Sequence, residues 1–371
     1  MKAAPRVTQL CCILSLGIVS SHAEDASIDK LLSKLPPPEK IIQPSARKAV
    51  EQSDPAFNDA LVTQTLVAVR LRNFQLAMGL SRKLTEKYPR SAGAQALRGV
   101  VAYDSRQYGE ASAAFRTATN INSKYAFAYF GLAAVEATQG QYAAAIPHLQ
   151  QVLKLQPNAA AAYYVLSDCA FHLGRKEESA AYARKGTALA PSDGYMWLQL
   201  ARAEKSLGHS DATLNAIAKA AQVAPDSGMM LAVLGFSYIN LNRIPQAIPP
   251  LKRAAQLLPH NYLVQSQLGY CLMTVGNTDA AIGYLRTGSN LNSNYEPVWE
   301  HLGVALQKRG RNRDAVDALE KATRLMPSSR YAWKHLAEAY QATGRSSDAQ
   351  RAAARAQQLG GAVTKVSKKK P

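Results

Sequence analysis

Histidine and cysteine side chains are the residues whose types and spacing could support chemistry in this 371-residue sequence. His301 and His335 are 34 residues apart, and Glu338 follows His335 by one helical turn, a pattern that could bind a metal ion or transfer a proton. Two histidines on separate elements supply too few ligands for a metal site. We therefore interpret both as solvated side chains at the edge of a groove.

Cys169 and Cys271 are the other candidates, and they are 102 residues apart, or three periods of the 34-residue spacing described below. Stacked helices lie ~10 Å apart, so three periods exceed the Cα separation that a disulfide allows. We expect two free, buried thiols. The sequence also contains no glycine-rich phosphate loop, no His-Glu-x-x-His and no Gly-x-Ser-x-Gly. We predict a protein that is not an enzyme, with no catalytic, cofactor-binding or metal-binding residues.

The composition favours a helical and strongly basic protein. Apolar residues make up 47% of the chain but aromatic residues only 7%, which indicates many small side chains and disfavours a Val/Ile-rich β protein. Lys and Arg number 44 against 26 Asp and Glu, for a net charge of +18. Residues 296–371 alone carry 15 basic and 7 acidic side chains, so an anionic partner could be drawn to this part of the chain.

The first 23 residues resemble a secretory signal peptide. Lys2 and Arg6 precede the apolar run Leu10–Val19, which is followed by the small residues around Ala23. The run is shorter than the ~20 residues of a membrane span. We expect an exported protein, periplasmic or secreted, with no transmembrane segment in the mature chain. Residues 24–57 are predicted to be a linker with a Pro-rich spacer, and residues 364–371 a basic tail.

One spacing dominates the rest of the chain. Prolines recur on a spacing of 34 residues, with Ser123 and Ser293 at the two positions that lack one, and Gly or Asn residues recur every 34 residues in a second series. Proline stops a helix, and Gly or Asn favours the left-handed conformation that ends one, so each period contains two helices and two turns. The proline series is Pro55, Pro89, Pro157, Pro191, Pro225, Pro259 and Pro327, and the second is Gly140, Gly174, Gly208, Asn242, Gly276, Gly310 and Gly344.

Apolar residues between these stops have the period of a helix. In the last unit, Trp333, Leu336, Ala337 and Tyr340 form one stripe, and a small residue recurs beside the Leu in other units. This pattern resembles the tetratricopeptide repeat. The resemblance implies an all-α, right-handed superhelical solenoid of about nine 34-residue helix-turn-helix repeats over residues 58–363. The repeats start near residues 58, 92, 126, 160, 194, 228, 262, 296 and 330.

The first two repeats depart from this pattern. Gln64 and Arg98 replace the Leu of the stripe, and Arg72 and Arg106 replace the Gly between the two helices. The two boundaries are therefore less clearly marked than the later ones.

The resemblance also implies a groove lined by the first helix of each repeat, on a stripe next to the packed one. In the middle of the array this stripe is apolar and aromatic, which is typical of peptide-binding surfaces. Asp168, Arg202 and Lys205 could orient a bound segment. The candidate groove residues are Phe127, Phe130, Tyr164, Asp168, Phe171, Tyr195, Arg202, Met229, Phe236, Tyr270, Met273 and Tyr331.

These observations predict a non-enzymatic scaffold or adaptor that binds a peptide or helix segment of another protein, in an exported or envelope-associated assembly. Two alternatives stay open. One is a structural repeat protein that associates with itself. The other is an accessory factor for the export of a surface polymer or polysaccharide, which binds an anionic polymer through residues 296–371. We expect no nucleic acid as a partner.

Overall fold

The computed structural model describes residues 53–366, and this part of the chain consists of helices and turns without a strand. The predicted signal peptide, most of the predicted linker and the last five residues lie outside the described residues. No helix within residues 53–366 is both long and apolar enough to cross a lipid bilayer.

The chain divides into two compact units at residue 223. The N-terminal unit, described from residue 53, contains α1 Ala60–Arg70, α2 Phe74–Lys87, α3 Ala92–Asp104, α4 Tyr108–Ile121, α5 Ala126–Thr138, α6 Tyr142–Leu155, α7 Ala160–His172, α8 Lys176–Leu189, α9 Gly194–Ser206 and α10 Ser210–Val223. The C-terminal unit contains α11 Gly228–Asn240, α12 Ile244–Leu257, α13 Tyr262–Thr274, α14 Thr278–Leu291, α15 Glu296–Lys308, α16 Asn312–Leu325, α17 Arg330–Ala342 and α18 Ser346–Val366.

Helices pack in consecutive pairs within each unit. An odd-numbered first helix packs against the even-numbered second helix that follows it, and that second helix also packs against the first helix of the next pair. A pair alone cannot bury its apolar faces, so each depends on its neighbours. The prediction of an all-α protein built from repeated helix-turn-helix units is confirmed.

The turn within each pair depends on one residue with a left-handed backbone. The six Gly residues of the predicted series have φ between 72° and 88°, and Asn242 has φ 53°. Arg72 and Arg106 also have positive φ, 59° and 62°. The turns at Arg72 and Arg106 form because they have the same backbone hydrogen bonds as the turns at Gly. Gln107 N–H, for example, donates to the Ala102 carbonyl at 2.8 Å, and in the next pair Gln141 N–H donates to the Glu136 carbonyl. The first two pairs thus keep the turn without the glycine.

Close approach of the two helices in a pair depends on a small residue beside the Leu of the first helix. A Cβ atom added to Gly303 would lie 2.4 Å from Leu319 Cγ, and one added to Gly269 would lie 2.6 Å from Leu285 Cγ. Both distances are far inside van der Waals contact. The Leu of the second helix therefore occupies the space that a larger residue would need.

Three tryptophans fasten the first helix of a pair to the turn before it. The indole N–H of Trp197 donates to the Pro191 carbonyl at 2.8 Å. Trp299 and Trp333 do the same to the residues six positions earlier, at 2.9 and 3.0 Å. The proline of the repeat, or Ser293 in its place, therefore also supplies the backbone carbonyl that accepts this hydrogen bond.

Replacing Arg106 by Gly is expected to raise the free energy of unfolding by about 0.5–1 kcal/mol, because glycine adopts a positive φ without the steric cost of a side chain. The midpoint of urea unfolding checks this. The control is Gly174→Ala, which should lower stability by a similar amount. A lower midpoint for Arg106→Gly would contradict the backbone argument.

Candidate functional site

The twelve predicted groove residues lie on first helices and differ in exposure. Seven keep side-chain surface accessible: Phe127, Asp168, Phe171 and Tyr195 in the N-terminal unit, and Met229, Tyr270 and Tyr331 in the C-terminal unit. Tyr331 is the most open of them, at 48% exposure. The other five are buried: Phe130, Tyr164, Arg202, Phe236 and Met273. Their side chains support the surface from below because neighbouring helices cover them.

In the N-terminal unit, Arg202 is the centre of a cluster that joins α6, α7 and α9. Its guanidinium forms an ion pair with Asp168 and lies over the Phe171 ring, 4.3 Å from the ring centroid. His172 Nε2 lies 3.7 Å from the same Asp168 oxygen, and its ring stacks on Tyr142 with centroids 4.4 Å apart. We call these five residues the Arg202 cluster.

The Arg202 cluster places a charge pair where water hardly reaches. The Arg202 side chain is 4% exposed and that of Asp168 15%. Arg202 Nε is buried without a hydrogen-bond partner. A buried ion pair of this kind fixes side-chain positions more than it adds stability, since both groups lose their hydration. The pair therefore holds the Phe171 ring in one orientation at the surface.

The C-terminal unit has an acidic counterpart, formed by Glu296 and Glu300 on α15 and by Ser329 and Tyr331 at the start of α17. Ser329 Oγ donates to Glu300 Oε2 at 2.8 Å. Burial, together with the nearby Glu300 charge, raises the pKa of Glu296 to about 8. Burial also raises the pKa of Glu300. Glu296 Oε1 has no hydrogen-bond partner.

Sequence reasoning did not single out Glu296. The equivalent first-helix positions are Ala or Gly in several other repeats, for example Ala126, Ala160, Gly194 and Gly228. A glutamate at a position that Ala or Gly occupies in five other repeats is a signal of an unusual buried acid. Comparison of the repeats position by position would have revealed it.

The interpretation of His301 and His335 as solvated side chains is wrong. The His301 ring lies 4.8 Å from the Tyr270 ring, and burial lowers its pKa to about 4. The His335 side chain is only 15% exposed, and its Nδ1 lies 2.8 Å from Glu338 Oε2. Both rings pack against groove-facing tyrosines, since His335 also meets Tyr331 at 4.3 Å. The two histidine rings therefore support the tyrosines of the predicted groove and are not solvated side chains at its edge.

Both described cysteines, Cys169 and Cys271, are free and buried, as predicted. Burial raises the pKa of each thiol to about 12, so neither is a reactive thiolate at neutral pH. Within residues 53–366, no group of three or more His, Cys, Asp or Glu side chains is arranged to hold a metal ion.

The described residues define an all-α repeat protein. Its first helices have 13 residues and its second helices 14, apart from α1 with 11 and α18 with 21. Left-handed turns at a fixed spacing join the helices of each pair, and an aromatic stripe runs along the first helices. A sequence model of the tetratricopeptide repeat matches residues 130–194 and 302–362. These two segments contain tetratricopeptide repeats, so the recognition of this repeat from the sequence is confirmed.

Several solved structures are similar to parts of this chain. A crystal structure of YrrB, described as a TPR protein with an unusual peptide-binding site, is 18% identical over 50% of this chain and 95% of its own, with a TM-score of 0.46. A crystal structure of MamA is 23% identical over 45% and 97%, with a TM-score of 0.42. The Cut9–Hcn1 structure is 15% identical over 91% and 70%, with a TM-score of 0.42. No curated protein matches the chain.

Replacing Glu296 by Gln is expected to stabilise the protein at pH 8.5 and to have little effect at pH 4. The pKa of this carboxyl is raised from 4.5 to about 8 on folding, so the native state binds the proton more tightly than the unfolded chain. Stability is therefore fully present below the unfolded pKa and is lost as the pH rises towards 8. Gln stays neutral, and the gain at pH 8.5 should be about 1–3 kcal/mol.

Thermal unfolding at pH 4 and at pH 8.5, followed by circular dichroism, checks this prediction. Glu178→Gln is the control, because its side chain is 53% exposed. If Glu296→Gln and the unmodified chain lose stability equally between the two pH values, Glu296 is not the titrating group.

Replacing Arg202 by Ala is expected to lower the free energy of unfolding by about 3–5 kcal/mol, because Asp168 keeps its buried charge without a partner. The double variant Arg202→Met, Asp168→Leu should recover most of the loss. Urea unfolding measures both changes. The control is Arg253→Ala, which removes an exposed pair with Asp226 and should cost less than about 1 kcal/mol. Equal costs for Arg202→Ala and Arg253→Ala would show that the buried pair has no special role.

Proposed function

We propose that this protein is an adaptor that binds an extended or helical segment of another protein on the aromatic stripe of its first helices. Tetratricopeptide repeats are protein–protein interaction scaffolds, and the family assignment supports that general role. The finer proposal concerns where the segment binds and what the surface recognises.

The observation that carries the proposal is the arrangement of the N-terminal unit's aromatic residues. Phe127, Phe171 and Tyr195 come from three successive first helices, α5, α7 and α9, and each keeps part of its ring accessible. Aromatic rings provide a large contact area at low entropic cost, because few of their torsions must be fixed on binding. Asp168, whose side chain is 15% exposed, shares Arg202 with the Phe171 ring and could accept a hydrogen bond from a bound main chain through its exposed part.

The surface is preorganised by the layer beneath it. Arg202 holds both Asp168 and the Phe171 ring. Tyr164, at 3% exposure, is part of the same buried layer. A surface that does not rearrange on binding loses less entropy, so a modest number of contacts suffices for affinity.

The C-terminal unit offers a second surface of different character. Tyr331 is 48% exposed, and Tyr270 and Met229 are partly accessible. Burial is the main cause of the raised pKa of Tyr331. The nearby charge of Glu300 raises this pKa further. This surface combines rings with carboxyl groups, whereas the first combines rings with a buried arginine.

The working location of this adaptor is outside the cytoplasm. The proposal is supported by the charged start, apolar run and small residues of positions 1–23. Its partner would then belong to an exported or envelope-associated assembly.

Panning of a random peptide library on the full chain tests the binding proposal. Peptides enriched on the unmodified protein are expected to lose at least about tenfold in affinity when Phe171 is replaced by Ala, since large aromatic anchors dominate such interfaces. The control is Leu189→Ala, which removes a 40% exposed apolar side chain from the second helix α8. Its affinity should not change.

Helicity and the urea midpoint of Phe171→Ala must match those of the unmodified chain for the comparison to count as loss of binding. Peptides that bind equally well to Phe171→Ala and to the unmodified protein, but less well to Leu189→Ala, would place the site on the second helices and contradict the proposal.

A further inference from the structure

Glu296 and Glu300, which we call the carboxyl pair, are buried together without a basic partner. Elsewhere a buried carboxylate has one: the Glu204 side chain, at 4% exposure, pairs with Arg184 at 2.6 Å, and the Arg202 cluster contains a second such pair. Glu296 is buried to a similar degree, at 7% exposure, and its carboxyl lies within hydrogen-bonding distance of Glu300. No Lys, Arg or His among the described residues forms an ion pair with either of them.

One oxygen of the carboxyl pair is buried without a hydrogen-bond donor. Glu300 Oε2 accepts a hydrogen bond from Ser329 Oγ at 2.8 Å, whereas Glu296 Oε1 has no partner. Two carboxyls in contact, away from water and without a cation, repel each other when both are ionised, so they keep a proton. An unpaired buried oxygen also costs free energy. The pair therefore lacks both a positive charge and a donor.

An open aromatic ring lies beside the carboxyl pair. Tyr331 is 48% exposed. Burial raises its pKa, and Glu300 and Tyr270 add to this shift, so both lie close to its hydroxyl. Burial lowers the pKa of His301 to about 4 and also lowers the pKa of His335, so these imidazoles do not repel a cation at neutral pH or above. The face of a tyrosine ring attracts cations.

The lysines of this surface are directed at other groups. Lys334 Nζ lies 3.8 Å from Glu338 Oε1, and Lys308 Nζ lies 3.5 Å from the Met273 carbonyl oxygen. Neither supplies the cation that the carboxyl pair lacks, which leaves that role to a bound molecule.

We propose that the carboxyl pair and the Tyr331 ring bind an arginine side chain of the partner segment. Glu300 is partly accessible and would meet the guanidinium first. A guanidinium is planar, so it can stack on the ring while its N–H groups donate to the carboxyl oxygens, whereas an ammonium is more strongly hydrated and has no plane to stack. On binding, the shared proton leaves to the solvent and Glu296 Oε1 gains a donor. The site gives the proposed adaptor, on which this assignment rests, a preference for segments that contain arginine.

Isothermal titration calorimetry of the full chain with Nα-acetyl-arginine amide at pH 8.5 tests the site. This probe is expected to bind at least about tenfold more tightly than Nα-acetyl-citrulline amide, which has a similar shape without the charge. Glu296→Gln and Glu300→Gln should each weaken binding of the arginine probe at least about tenfold. Glu178→Gln removes the same charge from a 53% exposed position of the N-terminal unit and should leave the affinity unchanged.

The variants separate loss of the site from loss of the fold. Glu296→Gln is expected to be more stable than the unmodified chain at pH 8.5, and the helicity of Glu300→Gln is compared with that of the unmodified chain by circular dichroism. Equal affinities for the arginine and citrulline probes would overturn the proposal, and so would undiminished binding to both glutamine variants. Equally tight binding of Nα-acetyl-lysine amide would overturn the assignment to arginine.

The outcome is independent of the peptide panning. The probe requires no partner protein, so a failure of the panning would contradict the adaptor function while the titration could still show a site for arginine. Conversely, a titration without binding would remove this site and leave the comparison of Phe171→Ala with Leu189→Ala intact.

Discussion

The contact between a small residue on a first helix and a leucine on the second is the constraint on which the rest of the structure depends. At Gly235 a Cβ atom would lie 2.4 Å from Leu251 Cγ, and similar distances recur at Gly269 and Gly303. The short distance between the two helix axes fixes the orientation of the pair, because the side chains that interdigitate leave no alternative packing. That orientation then decides which stripe of the first helix is buried and which remains for a partner.

The two units use the same scaffold to present different chemistry. Around Arg202 the exposed ring of Phe171 is held by a buried positive charge paired with Asp168. Around Tyr331 the neighbouring groups are carboxyls, one of which, Glu296, has a pKa that burial raises well above its usual value. In repeat proteins the backbone contributes little to specificity, so such substitutions at equivalent positions decide what each surface recognises.

The periodic features were predictable from the sequence because they depend on backbone geometry. A left-handed residue is required every 34 positions, and Gly or Asn marks most of these sites. The side-chain environment was harder to predict, since it depends on how far a neighbouring helix overlaps the first helix. Arg202 and Tyr164 are buried for this reason although the stripe that contains them was expected to face a groove. The His301 environment was missed because one histidine looks the same in sequence whether its ring is solvated or packed on a tyrosine.

The tryptophans that fasten three first helices to their preceding turns also decide what a spectroscopist can see. The chain contains three, at positions 197, 299 and 333, and none precedes α9. Tryptophan fluorescence therefore reports on the last pair of the N-terminal unit and on the last two pairs of the C-terminal unit, and it does not report on α1–α8 or on α11–α14. In an array whose stability is a sum of local and nearest-neighbour terms, different segments can unfold at different denaturant concentrations. A difference between the fluorescence and circular dichroism curves would then show that the pairs without a tryptophan, α1–α8 and α11–α14, unfold separately from the others, without any added label.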